Sequence, residues 1–257
     1  MFTHWARNRF RPARPVTVAS IALFVAATAM GGIANAQGKI TPDAARQAQT
    51  TSRETHTANT TESSPSNPLA ATRTSKLLVL GDSLSAEYGL PRGTGWVALL
   101  SQRLNQSTDH YIVTNGSISG DTTSDGLSRL PNLLKRTQAK IVIVELGGND
   151  ALRGLPLATT RANLTAIIGL AKAANAKVLL VGMQIPPNYG PTYTRAFASM
   201  YGELAKQYGI GLVPFLLNGI ADKPELFQAD QIHPVPQAQP ELLNNVWTPL
   251  QTLIHAK

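Results

Sequence analysis

The sequence of 257 residues contains no cysteine. This absence excludes disulfide bridges, thiolate metal sites, a cysteine nucleophile and the attachment of lipid to an N-terminal cysteine. Charged residues are scarce, at 15%, and aromatic residues make up only 6%. Hydrophobic residues nevertheless reach 43%, which is enough to form a core. We therefore expect a folded domain and not a globally disordered chain.

The net charge of +8 is distributed unevenly along the chain. Residues 1–36 contain four arginines and no acidic residue, so this short segment carries half of the excess positive charge. The basic residues after residue 75 are scattered, without a basic run or interleaved aromatic residues. Nucleic-acid binding is therefore not expected.

The N-terminal segment has the features of an export signal. An Arg-rich stretch precedes an apolar stretch over residues 16–30, and Ala34-Asn35-Ala36 supplies the small residues of a signal-peptidase site. We predict a signal peptide over residues 1–36, cleaved after Ala36, and a periplasmic or secreted protein without membrane insertion after cleavage. The alternative is an uncleaved signal that anchors the protein in the inner membrane. The apolar stretch and the small residues after it together reach the roughly 20 residues that a membrane span needs.

The segment after the signal differs in composition from the rest of the chain. Residues 37–75 are rich in Ser, Thr, Gln, Asn and Ala and contain almost no large apolar side chain. Such a segment cannot bury enough surface to offset the entropy of the chain. We predict a disordered Ser/Thr-rich tether over residues 37–75 and a folded domain over residues 76–257.

The domain alternates short aliphatic runs with longer amphipathic segments. Aliphatic runs without polar alternation are typical of strands that are buried on both faces of a parallel sheet. Such runs occupy residues 77–80, 111–114, 141–144, 178–181 and, more weakly, 211–213. The spacing of apolar residues predicts helices over residues 96–105, 161–174, 196–208 and 237–254. This alternation predicts one doubly wound α/β domain.

Three polar, glycine-containing blocks directly follow the first three predicted strands. They occupy residues 81–85, 115–121 and 145–150. In open α/β sheets, ligands bind outside the carboxyl ends of the strands. If the strand order is the flavodoxin-like 2-1-3-4-5, the first three strands are neighbours. Their loops then meet at one place, where we expect the reaction site.

Together these motifs resemble those of the SGNH, or GDSL-type, hydrolases, and within that family the bacterial thioesterase I, arylesterase and lysophospholipase branch. The matching motifs are residues 81–88, 115–126, 144–154, 173–176, 187–190 and 232–234. The resemblance covers nearly the whole domain, residues 76–250. It implies a three-layer, flavodoxin-like SGNH hydrolase domain with a five-stranded parallel sheet of order 2-1-3-4-5. It also implies hydrolysis of ester or thioester bonds without a metal or other cofactor.

Ser83 follows the first strand, and a serine hydroxyl needs a base within hydrogen-bonding reach to act as a nucleophile. Histidine is the natural base near neutral pH. Four of the five histidines lie in the signal, in the tether, at the opposite edge of the sheet or near the C-terminus: His4, His56, His110 and His255. His233 remains, and Asp230 lies three residues earlier, where it can orient the imidazole. We predict Ser83, His233 and Asp230 as the catalytic residues. The alternative for the Asp-x-x-His pair is a solvated surface turn.

The resemblance also implies an oxyanion hole. Its donors are the backbone N–H groups of Ser83 and Gly120 and the side-chain amide of Asn149. Asn149 follows Gly147 and Gly148, which leave the backbone free to aim the amide. The alternative is that this Gly-Gly-Asn-Asp segment is only a turn.

Apolar residues in two loops suggest what the site accepts. The proposed substrate groove contains Leu152, Leu155, Leu157, Ile185, Pro186 and Tyr189. Such residues suit an alkyl or aryl acyl chain, although they could instead only pack the loops together. We predict an exported, monomeric serine esterase that hydrolyses small acyl esters or thioesters. The alternatives are a polysaccharide O-deacetylase on the same scaffold and a non-catalytic lipid- or cell-wall-binding module.

Overall fold

Five parallel strands form the central sheet: β1 (Ser75–Gly81), β2 (Tyr111–Asn115), β3 (Ile141–Glu145), β4 (Lys177–Val181) and β5 (Gly211–Val213). Their order is β2-β1-β3-β4-β5, and every neighbouring pair is parallel. The side chains of β1, β3 and β4 are almost entirely buried, as expected for strands covered on both faces. The predicted strand order and sheet type are confirmed.

The computed structural model describes residues 75–256. The predicted signal peptide and all of the predicted tether except Ser75 lie outside this range. Ser75 itself is the first residue of β1, where it pairs with Tyr111. Among residues 75–256, no helix combines the length and the apolar character needed to cross a membrane.

Helices cover both faces of the sheet. One layer contains α1 (Trp96–Asn105) and the last helix, α6 (Gln239–His255), which contact each other. The other layer contains α2, α4 and α5, in which α4 contacts both of its neighbours. Their bounds are α2 (Thr123–Thr137), α4 (Leu157–Ala173) and α5 (Pro191–Tyr208), and the short α3 (Gly148–Leu152) precedes α4.

Four of these helices correspond to the predicted ones. The bounds of α1 agree, whereas α4 and α5 begin a few residues before the predicted starts. The sequence pattern did not predict α2, which contains Pro131. The start of α2 is marked by a capping box. The Thr122 hydroxyl and the Asp125 carboxylate each accept from the other residue's backbone N–H. The buried residues Leu130 and Leu133 then fix its inner face.

The order of the strands determines where the loops meet. Because β1 lies between β2 and β3, the segments that leave the carboxyl ends of these three strands are adjacent. The chain leaves β2 and β3 toward helices in one layer, and it leaves β1 toward α1 in the other layer. The carboxyl edge at β1 is thus the switch point of the sheet, where α/β proteins bind ligands.

Candidate active site

Ser83 lies in a tight turn directly after β1. The Asp82 carbonyl accepts hydrogen bonds from the N–H groups of Ser85 (3.2 Å) and Ala86 (2.9 Å), so the chain coils as soon as the strand ends. Gly81 makes this turn compact. A Cβ at that position would lie 2.8 Å from the Ser85 side chain and 2.9 Å from Glu145 Oε2. A larger residue would therefore push the turn away from β3.

The structure brings the three predicted catalytic residues into one hydrogen-bonded line. Ser83 Oγ is 2.8 Å from His233 Nε2, and His233 Nδ1 is 2.7 Å from Asp230 Oδ2. A carboxylate can only accept, so Nδ1 carries the proton and Nε2 accepts from the Ser83 hydroxyl. This is the tautomer in which a histidine can remove the proton of the serine.

Asp230 is held by the turn that it shares with His233. Its Oδ1 accepts from the N–H groups of Ile232 (2.9 Å) and His233 (3.0 Å), and Gln231 adopts a left-handed conformation with φ +57°. Partial burial acts to raise the pKa of Asp230. The hydrogen bonds from the His233 ring and from the two backbone N–H groups outweigh it and lower this pKa to about 2. Asp230 is therefore ionised throughout the neutral range.

Two residues that the sequence analysis did not single out support the imidazole. Tyr88 packs on the His233 ring with a centroid distance of 4.4 Å. The Gln228 side chain donates to the Tyr88 carbonyl (3.0 Å), and the Gln228 N–H donates to the His233 carbonyl (2.7 Å). Gln228 thus joins the turn after β1 to the loop of the histidine. These contacts join distant segments, so no local pattern indicates them.

The predicted oxyanion donors lie beside the same cavity as Ser83. Gly120 has φ +85°, a left-handed conformation that favours glycine, and it lines this cavity together with Asn149. The Asn149 amide donates to Asp82 Oδ2 and to the Asp121 carbonyl, each at 3.0 Å. Asn149 is thus oriented by the loops that follow β1 and β2. It is more than a turn residue.

Two carboxyl groups are buried below the nucleophile. Burial raises the pKa of Asp82 to about 6, although hydrogen bonds from the Leu84 N–H and from Glu145 act in the opposite direction. Burial, followed by the charge of Asp82, raises the pKa of Glu145 well above its usual range. No local sequence pattern indicates a role for Glu145.

A cavity of about 730 Å³ opens beside Ser83 and His233. Of the predicted groove residues, Leu152, Ile185 and Pro186 line it. It is also lined by apolar residues that were not predicted, which are Leu84, Tyr88, Met183, Phe215, Leu217, Ala221, Phe227 and Ile232. Phe215 and Leu217 follow β5, so the rule that ligands bind at the carboxyl edge could have indicated them.

The other three predicted groove residues do not line the cavity. The chain turns away after α3, with Gly154 at φ +66°. The Leu155 carbonyl accepts from the Tyr193 hydroxyl (3.1 Å), and Leu157 begins α4 and packs against the core. Tyr189 ends a short 3₁₀ turn and is exposed. In the structure, Leu155 and Leu157 pack the loops down, and Tyr189 ends one of them.

Comparisons with known proteins bear on most of this domain. A model of the GDSL-like Lipase/Acylhydrolase family matches residues 79–239. The chain is 51% identical over 178 residues to the Pseudomonas aeruginosa protein named esterase TesA, and the match covers 69% of this chain and 89% of that protein. It is 45% identical over 179 residues to the Escherichia coli K12 protein named thioesterase 1/protease 1/lysophospholipase L1. This second match covers 70% of this chain and 85% of the relative.

A solved structure shows the same similarity in three dimensions. The crystal structure of TesA matches with a TM-score of 0.68 at 51% identity. The match covers 69% of this chain and 99% of the TesA chain. The sequence similarity and the structural similarity therefore both concern the α/β domain.

Proposed function

Because this chain belongs to the GDSL-like lipase/acylhydrolase family and is a serine hydrolase that acts on ester bonds, we propose that Ser83 carries the acyl group during its reaction. The observation that supports this most strongly is the hydrogen-bonded line from Ser83 through His233 to Asp230 at the wall of an apolar cavity. In this proposal Ser83 is the nucleophile, His233 is the base and Asp230 orients the ring.

The acylation step follows from the geometry. Ser83 Oγ attacks the acyl carbonyl while His233 Nε2 takes the hydroxyl proton, and ionised Asp230 stabilises the resulting imidazolium. The carbonyl oxygen becomes an oxyanion that the N–H groups of Ser83 and Gly120 and the Asn149 amide stabilise. His233 then gives its proton to the departing alcohol or thiol as the bond from the carbonyl carbon to that group breaks.

Asn149 must release one acceptor when it binds the oxyanion, because both hydrogens of its amide are engaged. Its two acceptors are the carboxyl of Asp82 and the neutral carbonyl of Asp121. Hydrogen bonds to a charged acceptor are the stronger ones. Asn149 therefore keeps its bond to Asp82 and turns its other hydrogen toward the substrate. Deacylation repeats the sequence with water as the nucleophile, and this releases the acid and restores Ser83.

Partitioning of the acyl group between water and an added alcohol tests this mechanism. Every butyryl substrate forms the same acyl-enzyme. The division of this intermediate between water and methanol therefore cannot depend on the leaving group. With nitrophenyl butyrate, phenyl butyrate and a butyryl thioester in dilute methanol, we expect the same ratio of methyl butyrate to butyrate. A ratio that changes with the leaving group would contradict a shared intermediate.

The cavity supports an apolar acyl chain as the specific part of the substrate. Its lining as a whole is mainly aliphatic and aromatic, which suits an acyl chain more than a sugar. The rival reading, a polysaccharide O-deacetylase, is tested by comparing turnover of an acetylated polysaccharide with turnover of nitrophenyl octanoate. A strong preference for the polysaccharide would replace the acyl-chain proposal.

Filling the cavity is expected to shorten the preferred chain. Ala221 lines the cavity but is exposed, so a tryptophan there adds volume without disturbing the core. We expect A221W to lower kcat/KM for nitrophenyl octanoate about tenfold relative to nitrophenyl acetate. The control is A174W, at the exposed end of α4. An unchanged ratio of the two substrates in A221W would show that the acyl chain lies elsewhere.

Export and domain organisation complete the proposal. The Arg-rich start, the apolar stretch and the Ala34-Asn35-Ala36 site support a cleaved signal over residues 1–36, followed by a tether and the hydrolase domain. Intact mass of the protein recovered from a periplasmic extract tests this part. We expect the mass of residues 37–257. The mass of the full chain, found in the membrane fraction, would instead indicate an uncleaved anchor.

A further inference from the structure

Glu145 is a buried carboxyl group for which the proposed mechanism has no use. It is the last residue of β3, lies below the turn that carries Ser83, and its exposed fraction is 0%. Its Oε2 accepts from the Ser85 hydroxyl (2.7 Å) and from the Asp82 N–H (3.3 Å). Its Oε1 is buried and has no hydrogen-bond partner among residues 75–256. Both the burial and the orphaned oxygen require an explanation.

The charges that face Glu145 do not favour a second anion. Asp82 approaches from the turn after β1, and Tyr201 reaches over from α5 to donate to the Leu146 carbonyl (3.0 Å). Farther out, His233 and Asp121 act on Asp82. Among the described residues, no lysine or arginine forms an ion pair with Glu145, and Arg129 pairs with Asp121 instead.

An ionised carboxylate in this position would be desolvated, unpaired and next to another carboxyl group. Buried charges are normally paired with an opposite charge, and a group without such a partner becomes neutral instead. A neutral acid has further advantages here. It removes the repulsion between two neighbouring anions, and its oxygen lone pairs cost less to leave without a donor than those of a carboxylate.

We infer that Glu145 is a positioning residue that stays protonated in the folded enzyme and holds the turn after β1 through its Oε2, which accepts from the Ser85 hydroxyl and the Asp82 N–H. Asp82 then keeps its negative charge, accepts from the Leu84 N–H (3.0 Å) and holds the amide of Asn149. Glu145 thus acts on the oxyanion hole through Asp82, and on the nucleophile turn through Ser85. The expected effect on kcat rests on the proposed function, whereas the protonation of Glu145 does not.

The pKa shifts agree with this arrangement. Burial raises the pKa of Asp82 to about 6, and the hydrogen bond from the Leu84 N–H acts against that rise. Burial and the neighbouring charge of Asp82 raise the pKa of Glu145 well above its usual range. Because the pKa of Glu145 is raised more than that of Asp82, Glu145 carries the proton when the pair holds one.

The variant E145Q tests the positioning role because glutamine reproduces a protonated glutamate. Its carbonyl can accept from the Ser85 hydroxyl and the Asp82 N–H, and its amide is neutral, as the protonated carboxyl is. We expect E145Q to keep at least about a third of the wild-type kcat for nitrophenyl butyrate, since the hydrogen bonds are retained. E145M has a similar shape without these bonds, and we expect its kcat to fall at least about tenfold with little change in KM. Equal kcat values for folded E145Q and E145M would overturn the positioning role.

The pH dependence of stability tests the protonation separately from catalysis. If the pKa of Glu145 is raised in the folded state, the unfolded state releases a proton that the folded state keeps, and stability falls as pH rises above the ordinary value of 4.5. E145Q has no carboxyl group at this position, so its stability lacks this pH dependence. From urea unfolding between about pH 6.5 and 8.5, we expect the ratio of the wild-type unfolding constant to that of E145Q to rise about tenfold per pH unit until Glu145 ionises.

This range lies above the titration of Asp82, which both proteins share. A constant difference in stability between the two proteins shifts the ratio but not its slope. A ratio that does not change with pH would show that Glu145 is ionised in the folded protein and would overturn the inference. An error in the assignment of Ser83 would leave this slope unchanged, so the two failures can be told apart.

Discussion

Replacement of Ser83 by alanine is expected to lower kcat for nitrophenyl butyrate about 10⁴- to 10⁶-fold, because removal of a serine nucleophile leaves only the oxyanion hole and substrate binding. The fold should be unaffected. Ser83 is only half-buried, and the side-chain hydrogen bond that it loses is the one to His233. The measurement is turnover of the purified variant, with urea unfolding as the test of folding.

The matched control for this variant is S128A. Ser128 is exposed on α2, its hydroxyl donates to the Asp125 carbonyl (2.8 Å), and it does not line the cavity. S128A is expected to retain wild-type kcat. Turnover within about tenfold of wild type in folded S83A would mean that another group forms the acyl-enzyme.

Replacement of Asn149 by alanine is expected to lower kcat about 10²- to 10³-fold, which is the usual effect of losing one oxyanion donor. The Asn149 amide is fixed from two sides, by Asp82 and by the Asp121 carbonyl, so a shorter side chain cannot be compensated by a small shift. KM should change much less than kcat, because the donor acts mainly on the charge that develops in the transition state.

The control for N149A is N105A, at the exposed end of α1. It removes an amide of the same size from the opposite layer of the domain, and its kinetics should match those of the wild type. If N149A raised KM and left kcat unchanged, Asn149 would bind the ground state and would not be an oxyanion donor.

The sequence allowed much of the fold to be predicted, because continuous aliphatic runs reveal strands that are buried on both faces. The family resemblance and the strand order that it implied are confirmed by the family model, the relatives and the sheet itself. The Asp-x-x-His spacing is also local, since Asp230 and His233 share one turn. Their assignment to Ser83 depended on eliminating the other histidines, and the structure places the three residues together.

Other parts of the site depend on contacts between distant segments. Phe227 reaches the cavity through a loop that an isolated antiparallel bridge between Phe227 and Pro234 holds in place. Tyr88 lies on His233 because Gln228 holds its carbonyl. Neither relation has a periodic or spacing signal, so neither could be predicted from the residues alone.

Glu145 illustrates a different limit. It follows four aliphatic residues of β3, and a charged residue at the end of such a run is usually taken as the first residue of a solvated loop. The pairing of Gly81 with Glu145 places it instead under the turn after β1, where the side chain is buried.

The most direct test of the central claim is the site of covalent modification by a fluorophosphonate that carries an alkyl chain. Attack by the nucleophile forms a bond from oxygen to phosphorus and releases fluoride, and the adduct persists because its phosphorus centre resists hydrolysis. Peptide mass spectrometry of the labelled protein is expected to place one adduct on Ser83, with no labelling of S83A. An adduct on another residue, or equal labelling of S83A, would contradict the account.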